Sequence, residues 1–555
     1  MALLACRPAG TPPPADGEQT SEARPNILIL VADDLGYSDI GCFGGEIATP
    51  NLDALAAEGL LCTEFRTLPT CSPTRSSLLT GTDNHTAGLG AMAEAMTANQ
   101  FGAPGYEGYL NQRVVTVASL LGSGGYQTYM AGKWHLGEER DHGPAARGFQ
   151  RSFTMLDGGG SHWSDAQGLT PVTAAMQYRD NGETVDTLPE DFFSSAFYTD
   201  RMIDYIDEGQ DNDQPFFAYL AFTAPHDPLH APDEWLAKYR GKYDAGYDQL
   251  REQRLARMID LELIPESTRP FPRLPTVPAW SELSPETRAI ESRRMESYAA
   301  LVDNMDHHIG RILDHLRDIG EYDNTLILFF SDNGANGLVM RNYPGQTDAY
   351  VASFDNSLEN MGRRGSFTAQ GPSWAQVSMT PFRLFKATTA GGGIRVPFLA
   401  AGPGVAANTR SNALAHVLDI TPTLLELAEV EHPESYQGRP VAPLIGTSML
   451  AHLRGDAAAV HPAETSMGWE LHGQKALITG QWKALNLPPP FGAAEWELFD
   501  LSTDAGETND LSAAESERLQ EMIVEYQSYA DSVGVVPPDL DELIRSMGLE
   551  AAEGE

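Results

Sequence analysis

The chain has 555 residues and a mass of 60.2 kDa, and 42 % of its residues are hydrophobic, enough for a large core. Its 37 Lys and Arg face 77 Asp and Glu, giving a formal charge of −40. This excludes the basic stripe that nucleic acid or an anionic membrane requires, and no run of about 18 apolar residues exists to span a bilayer. The field repels an anionic substrate, so any such substrate needs a compact cationic pocket. The four cysteines, Cys6, Cys42, Cys62 and Cys71, form no CxxC pair, which argues against a zinc cluster or a disulfide framework.

Residues 1–23 open on Leu3-Leu4-Ala5-Cys6, similar to the end of a bacterial lipoprotein signal, and continue as a tether expected to be disordered. With a start upstream, the protein would be periplasmic or lipid-anchored at Cys6. Without one, this is an arbitrary tail on a cytoplasmic protein; periplasmic is the favoured reading. The first ordered element is PNILILVADDLG, in which Ile27 to Ala32 form a continuous apolar run suited to a strand buried on both faces. TPNLDALAAEGL then reads as a helix with Pro50 near its start and Gly59 as its stop. PTCSPTRSSLLTG places Cys71 just before an apolar helical start. TYMAGKWHLG, PFFAYLAFTAPHDP, NTLILFFSDNG and VPFLAAGPG repeat the strand-then-turn pattern, and a long helix is predicted over about 287–319. Residues 336–380 read as a long loop, functional or mobile.

These alternations predict an α/β domain over 24–455 with a mostly parallel sheet flanked by helices. A small α+β domain with an antiparallel sheet follows over 456–540, where QKALITGQWKALNL reads as a hairpin, EWELFDLSTD as a strand and 516–533 as an amphipathic helix. Residues 541–555 read as an acidic tail.

Ligands of open α/β sheets collect at the carboxyl ends of the strands. There the sequence places Asp33 and Asp34, Lys133 and His135, His226, and Asp332 and Asn333. Three carboxylates and an amide oxygen suit a hard divalent cation, Ca²⁺ or Mg²⁺, rather than zinc. Arg75, Lys133, His135, His226 and Lys386 describe a pocket for a compact oxyanion, a phosphate or sulfate ester, whose developing charge they would stabilise.

Cys71-Ser72-Pro73-Thr74-Arg75, continued by Ser76 to Gly81, resembles the sulfatase signature Cys-x-Pro-x-Arg, and Gly125 to His135 resembles that family's second signature. The likeness extends over most of residues 24–530, and is closest to the bacterial arylsulfatases. It implies an alkaline-phosphatase-like fold and a Cys71 oxidised to Cα-formylglycine (3-oxoalanine) by a formylglycine-generating enzyme. It further implies Ca²⁺, with Mg²⁺ as an alternative, on Asp33, Asp34, Asp332 and Asn333. A hydroxyl of the hydrated aldehyde would attack sulfur, with Asp332 as proton acceptor. His226, helped by Lys386, would protonate the leaving group. His135 would take the second hydroxyl's proton to release sulfate, and Lys133 and Arg75 would hold the diol. The substrate would be a small-molecule or carbohydrate sulfate ester, selected by the 158–190 and 336–380 loops.

The rivals are a phosphonate or phosphate ester hydrolase on the same fold and a non-catalytic glycan-binding protein. His162-Trp163 reads as packing or as part of the substrate mouth, His416 as a helix-start residue, and Cys42 and Cys62 as buried small side chains.

Overall fold

The computed structural model describes residues 24–212 and 214–546. The N-terminal tether with Cys6, and the acidic stretch from 547 onward, lie outside the described residues.

Asn26–Ala32 is the central strand. Every residue in it is buried, and its alternation divides the core: Leu28, Leu30 and Ala32 join one apolar layer, Ile27, Ile29 and Val31 the other. It pairs in parallel with Phe216–Ala221 on one side and Thr325–Ser331 on the other. Beyond Phe216–Ala221 come Gln127–Lys133 and Arg151–Met155, both parallel. Phe398–Ala401 joins antiparallel to Thr325–Ser331. Among the described residues this sheet has ten strands. Its mostly parallel centre matches the expected α/β class.

The helices on each face follow from sequence signals. The predicted long helix runs Pro285–Asp318, started by Pro285 and by the Ser284 side chain, which accepts from Thr287 N. Its Met295, Val302, Met305 and Ile309 pack into the first layer. Pro50–Glu58 and Cys71–Thr80 are also helical. In the latter the helix begins at Cys71 itself, a correction to the expectation of a start after it. The expected long loop over 336–380 contains two short helices, Asp348–Val351 and Gly371–Ser378.

The smaller antiparallel sheet contains the expected hairpin, Gln474–Thr479 with Trp482–Asn486, and the expected strand Trp496–Asp500. It also has a first strand not read from the sequence, Ser466–Leu471. The helix Ser516–Val533 covers one face through Leu519, Met522 and Tyr526. The stretch read as an acidic tail, 541–555, is described only as far as Ser546. Leu540–Ser546 is a helix with Leu543 buried, and Leu540, Leu543 and Ile544 line a small cavity together with Pro488 to Phe491.

The small sheet and its helix are fastened to the short helix Asn84–Ala87 of the larger domain by buried polar contacts. His85 Nδ1 is 2.8 Å from Asp83 and its Nε2 is 3.2 Å from Glu470, while the Tyr529 hydroxyl donates to Asp83. Burial alone would lower the pKa of His85, but Asp83 and Glu470 outweigh it and raise it to about 9. The folded pKa lies above the ordinary value of about 6.5, so this stabilisation is complete below pH 6.5 and is lost as pH rises through 9. His85→Gln should remove on the order of 3 kcal/mol of the stability difference between pH 6.5 and 9.5, read from urea unfolding of both proteins.

Candidate active site

The reactive groups meet where the parallel strands end. Ala32 and Ser331 are register partners, so Asp33-Asp34 and Asp332-Asn333 leave adjacent strands side by side. The Ser331 hydroxyl accepts from Leu35 N and donates to the Asn333 carbonyl, tying the two turns together. Asp34 takes the left-handed region at φ 67°, and Asp332 Oδ1 accepts from its N–H at 3.3 Å. Behind Asn333, Gly334 passes so close to the Gly391–Ile394 turn that a Cβ would lie 1.8 Å from the Gly392 carbonyl oxygen.

Cys71 is the first helical residue of Cys71–Thr80 and is buried. Its Sγ lies 3.4 Å from Asp33 Oδ1 and receives a hydrogen bond from Lys386 Nζ at 3.2 Å. Arg75, one turn on, faces the same way. Its Nε and Nη2 donate to Asp332 Oδ2 at 2.9 and 2.7 Å, and its Nη1 donates to the Lys133 carbonyl. Lys133 Nζ is 2.7 Å from Asp33, and Lys386 Nζ is 2.7 Å from Asp34. His226 follows the strand Phe216–Ala221, with Nε2 3.5 Å from Asp34 and Nδ1 2.7 Å from the Asp227 carbonyl. That carbonyl can only accept, so Nδ1 carries the proton in the neutral ring.

Complete burial gives these charges their character. It would raise Asp33, but Lys133, His226, Arg75 and Lys386 outweigh it and hold that carboxyl well below the usual range. Burial and the neighbouring Asp33 push Asp332 up to about 6. Burial and the carboxylate of Asp332 push the Cys71 thiol well above its ordinary pKa, so unmodified Cys71 is a protonated thiol and a poor nucleophile. His226 is lowered to about 4, chiefly by burial.

Ligand atoms of Asp33, Asp34, Cys71 and His226 all lie within 4.8 Å of one another. Asn333 Oδ1 is buried without a hydrogen-bond partner. An oxygen-rich cage with an unpartnered amide oxygen fits a hard divalent cation. Asp332 is turned toward Arg75, and only its Oδ1 faces the Asp34 backbone.

A cavity of about 640 Å³ opens from Cys71, Lys386 and His226 to the surface. A larger hollow of about 1000 Å³, around Arg24, Asn26 and Phe216, lies at the opposite end of the sheet and has none of this chemistry. His135 lines the reactive cavity. Its Nε2 faces Glu94 at 3.2 Å and its Nδ1 is buried and unpartnered.

His162 and Trp163 are packing and support. His162 Nε2 donates to the His226 carbonyl, its Nδ1 faces the Ser194 hydroxyl, and Trp163 packs on Phe193. His416 caps the turn Val417–Asp419, accepting from Leu418 N, as expected. Cys62 is buried, whereas Cys42 is half-buried against the core.

Several site residues escaped sequence reading. Glu94 carries no motif. Asp227 sits beside His226, raised to about 7 by burial and Asp34, and accepts from Asn336 and Tyr343. Its adjacency to His226 was the available signal.

A parallel sheet with carboxylates, lysines and an arginine at its carboxyl end, and a buried cysteine at a helix start, defines an alkaline-phosphatase-like ester hydrolase. The comparisons specify which. Residues 25–430 match the family described as Sulfatase, and residues 386–528 match N-sulphoglucosamine sulphohydrolase, C-terminal. An uncharacterized sulfatase of Schizosaccharomyces pombe is 44 % identical over 550 residues, covering 96 % of this chain and 98 % of that one. An arylsulfatase of Klebsiella aerogenes is 43 % identical over 433 residues, 78 % of this chain and 92 % of that one. The crystal structure of Ps i-CgsB with k-i-k-neocarrahexaose shares the fold, with TM-score 0.66 at 24 % identity, over 95 % of this chain and 98 % of that one. The chain belongs to the sulfatase family and is a sulfate-ester hydrolase.

Because Arg75 and Asp332 are both fully buried, removing one strands the other. Arg75→Ala should lower stability by ~3–5 kcal/mol in denaturant unfolding, and Arg75→Lys should recover only part, since a lysine cannot supply the paired donors.

Proposed function

We propose that the protein hydrolyses sulfate monoesters of the arylsulfatase type through a Cα-formylglycine made from Cys71, with Ca²⁺ held by Asp33, Asp34, Asp332 and Asn333. The observation that carries this reading is the position of Cys71. It is the first residue of a helix in the Cys-x-Pro-x-Arg motif, at the base of the cavity, between Lys386 and the Asp33-Asp34 pair. The hydrated aldehyde would supply the attacking hydroxyl and a second hydroxyl for release of sulfate, and the cation would neutralise charge on the sulfate oxygens.

The chain's own residues do the rest. Lys386 and Lys133 hold donors against the nucleophile and Asp33, stabilising negative charge where the sulfate binds. Arg75 fixes Asp332, the proposed proton acceptor, through two N–H groups on one oxygen. His226 has Nδ1–H committed to a backbone carbonyl, so the proton for the departing oxygen would be carried at Nε2 of the imidazolium form, which faces Asp34 at 3.5 Å. His135 directs Nε2–H toward Glu94, which leaves the Nδ1 lone pair open for the proton lost at sulfate release.

A formylglycine-generating enzyme is the implied maturation partner, and the domain limits 24–455 and 456–540 belong to the same proposal. So does periplasmic or lipid-anchored export, which cell fractionation of the expressed full-length gene product would check.

Mass spectrometry of the tryptic peptide Thr67 to Arg75, from protein made beside a formylglycine-generating enzyme, should find the aldehyde or its hydrate. Active protein containing only the intact thiol would refute the modification. Cys71→Ala should lose about 10³-fold or more in kcat. Aryl sulfate should be hydrolysed faster than aryl phosphate at equal concentration, and the reverse preference would favour the phosphate-ester rival.

A further inference from the structure

The reactive cavity is electrically lopsided. At its inner end Lys386 is the sole Lys or Arg in the wall, next to His226 and Cys71. The exposed side of the wall holds Glu94, Glu138 and Glu139, with no other arginine or lysine among the described lining residues; Asp157 also lines the cavity but is buried and accepts from Gln177 N. Glu138 and Glu139 are exposed, and Glu94 is half-exposed above His135. The wall also has an apolar side, formed by Met92, Leu156, Leu169 and Leu338. Val172, at the lip, is 82 % exposed, the most exposed large apolar side chain among the described residues. Tyr109 adds a flat face, stacked on His142 at 3.7 Å and 9°.

A sulfate monoester bound with its sulfate at Cys71 must direct its alcohol half along this wall. A neutral ring gains burial against the aliphatic side chains and Tyr109. A second anionic group on the alcohol would lie among the outer carboxylates with no cation to meet it, inside a cavity that screens charge less than bulk water does.

We infer that the cleft selects esters with one sulfate and an uncharged, mainly apolar alcohol, and that Glu138 and Glu139 reject leaving groups carrying a further carboxylate or sulfate. This rests on the sulfatase reading and adds to it the chemical class of the alcohol and the residues that set it. Multiply sulfated or uronate-bearing sugars are thereby disfavoured, although the fold is shared with BT4656, whose structure holds its substrate D-glucosamine-2-N,6-O-disulfate.

The test compares kcat/KM for methyl 4-(sulfooxy)benzoate with that for its free acid, 4-(sulfooxy)benzoate, on the mature full-length enzyme. At low ionic strength the neutral ester should be preferred about tenfold or more, and the preference should shrink about threefold in 0.5 M salt as the carboxylates are screened. Glu138→Lys with Glu139→Lys, both at exposed positions, should lower the preference at least about fivefold, mainly through KM for the acid. A preference within twofold of unity, or one unmoved by salt and by the double substitution, would overturn the filter while leaving sulfate-ester hydrolysis standing. Failure to hydrolyse either compound would overturn both readings.

Discussion

Everything at the site depends on a balance of buried charge. Asp33, Asp34 and Asp332 face Arg75, Lys133 and Lys386, all buried. No member is tolerable alone, since an isolated buried ion costs several kcal/mol. The balance explains why the carboxylates differ so much. Asp33 contacts Lys133 and lies 3.7 Å from Arg75, so it stays ionised, while Asp332 carries the repulsion of Asp33 and binds its proton more tightly. It also explains how a chain of charge −40 keeps three cations buried together, each matched by a carboxylate. The cations are few, but they are desolvated and fixed.

The fold holds this balance from several directions. The strand ends deliver the carboxylates and Lys133, the helix at Cys71 delivers Arg75, and the segment ahead of the Gly391–Ile394 turn delivers Lys386. The smaller antiparallel sheet takes part as well. Glu507 accepts from Gly391 N and is paired with Lys483, both nearly inaccessible. That turn receives the Gly334 N–H through the Gly393 carbonyl. A chain of hydrogen bonds thus runs from the C-terminal sheet to the residue beside Asn333, and it gives that sheet a structural reason to exist next to the site.

Much of this was legible in the sequence because parallel strands and their ends are written locally. The apolar run Ile27 to Ala32 and the acidic pair after it need no tertiary information, and neither does the pattern Cys71 to Arg75. What was not legible depends on long-range contacts. Glu94 acts only because the chain returns it to His135, and His162 reaches the His226 carbonyl across 64 residues. The strand Ser466–Leu471 has a glycine and a glutamate in its middle and becomes a strand by pairing with Gln474–Thr479. The helix start at Cys71 was placed too late because serine, proline and threonine are poor formers of helix interiors, although they suit a first turn.

The setting of Cys71 separates its possible roles. A thiol nucleophile needs a lowered pKa, usually from partial exposure to a cation or a helix N-terminus. Cys71 has the helix N-terminus and Lys386, yet burial and the surrounding carboxylates overrule both and keep the proton on sulfur. A structural cysteine, in turn, has no reason to be surrounded by paired charges that are expensive to bury. The arrangement makes sense for a group whose neighbours serve oxygen chemistry rather than sulfur chemistry. Under the proposed function Lys386 would be a donor for an oxygen nucleophile and Asp33 and Asp34 hard ligands, while Arg75 keeps Asp332 in place from one turn along the same helix. The environment therefore supports the proposed conversion: it suits an oxygen nucleophile, while the sequence encodes sulfur at position 71.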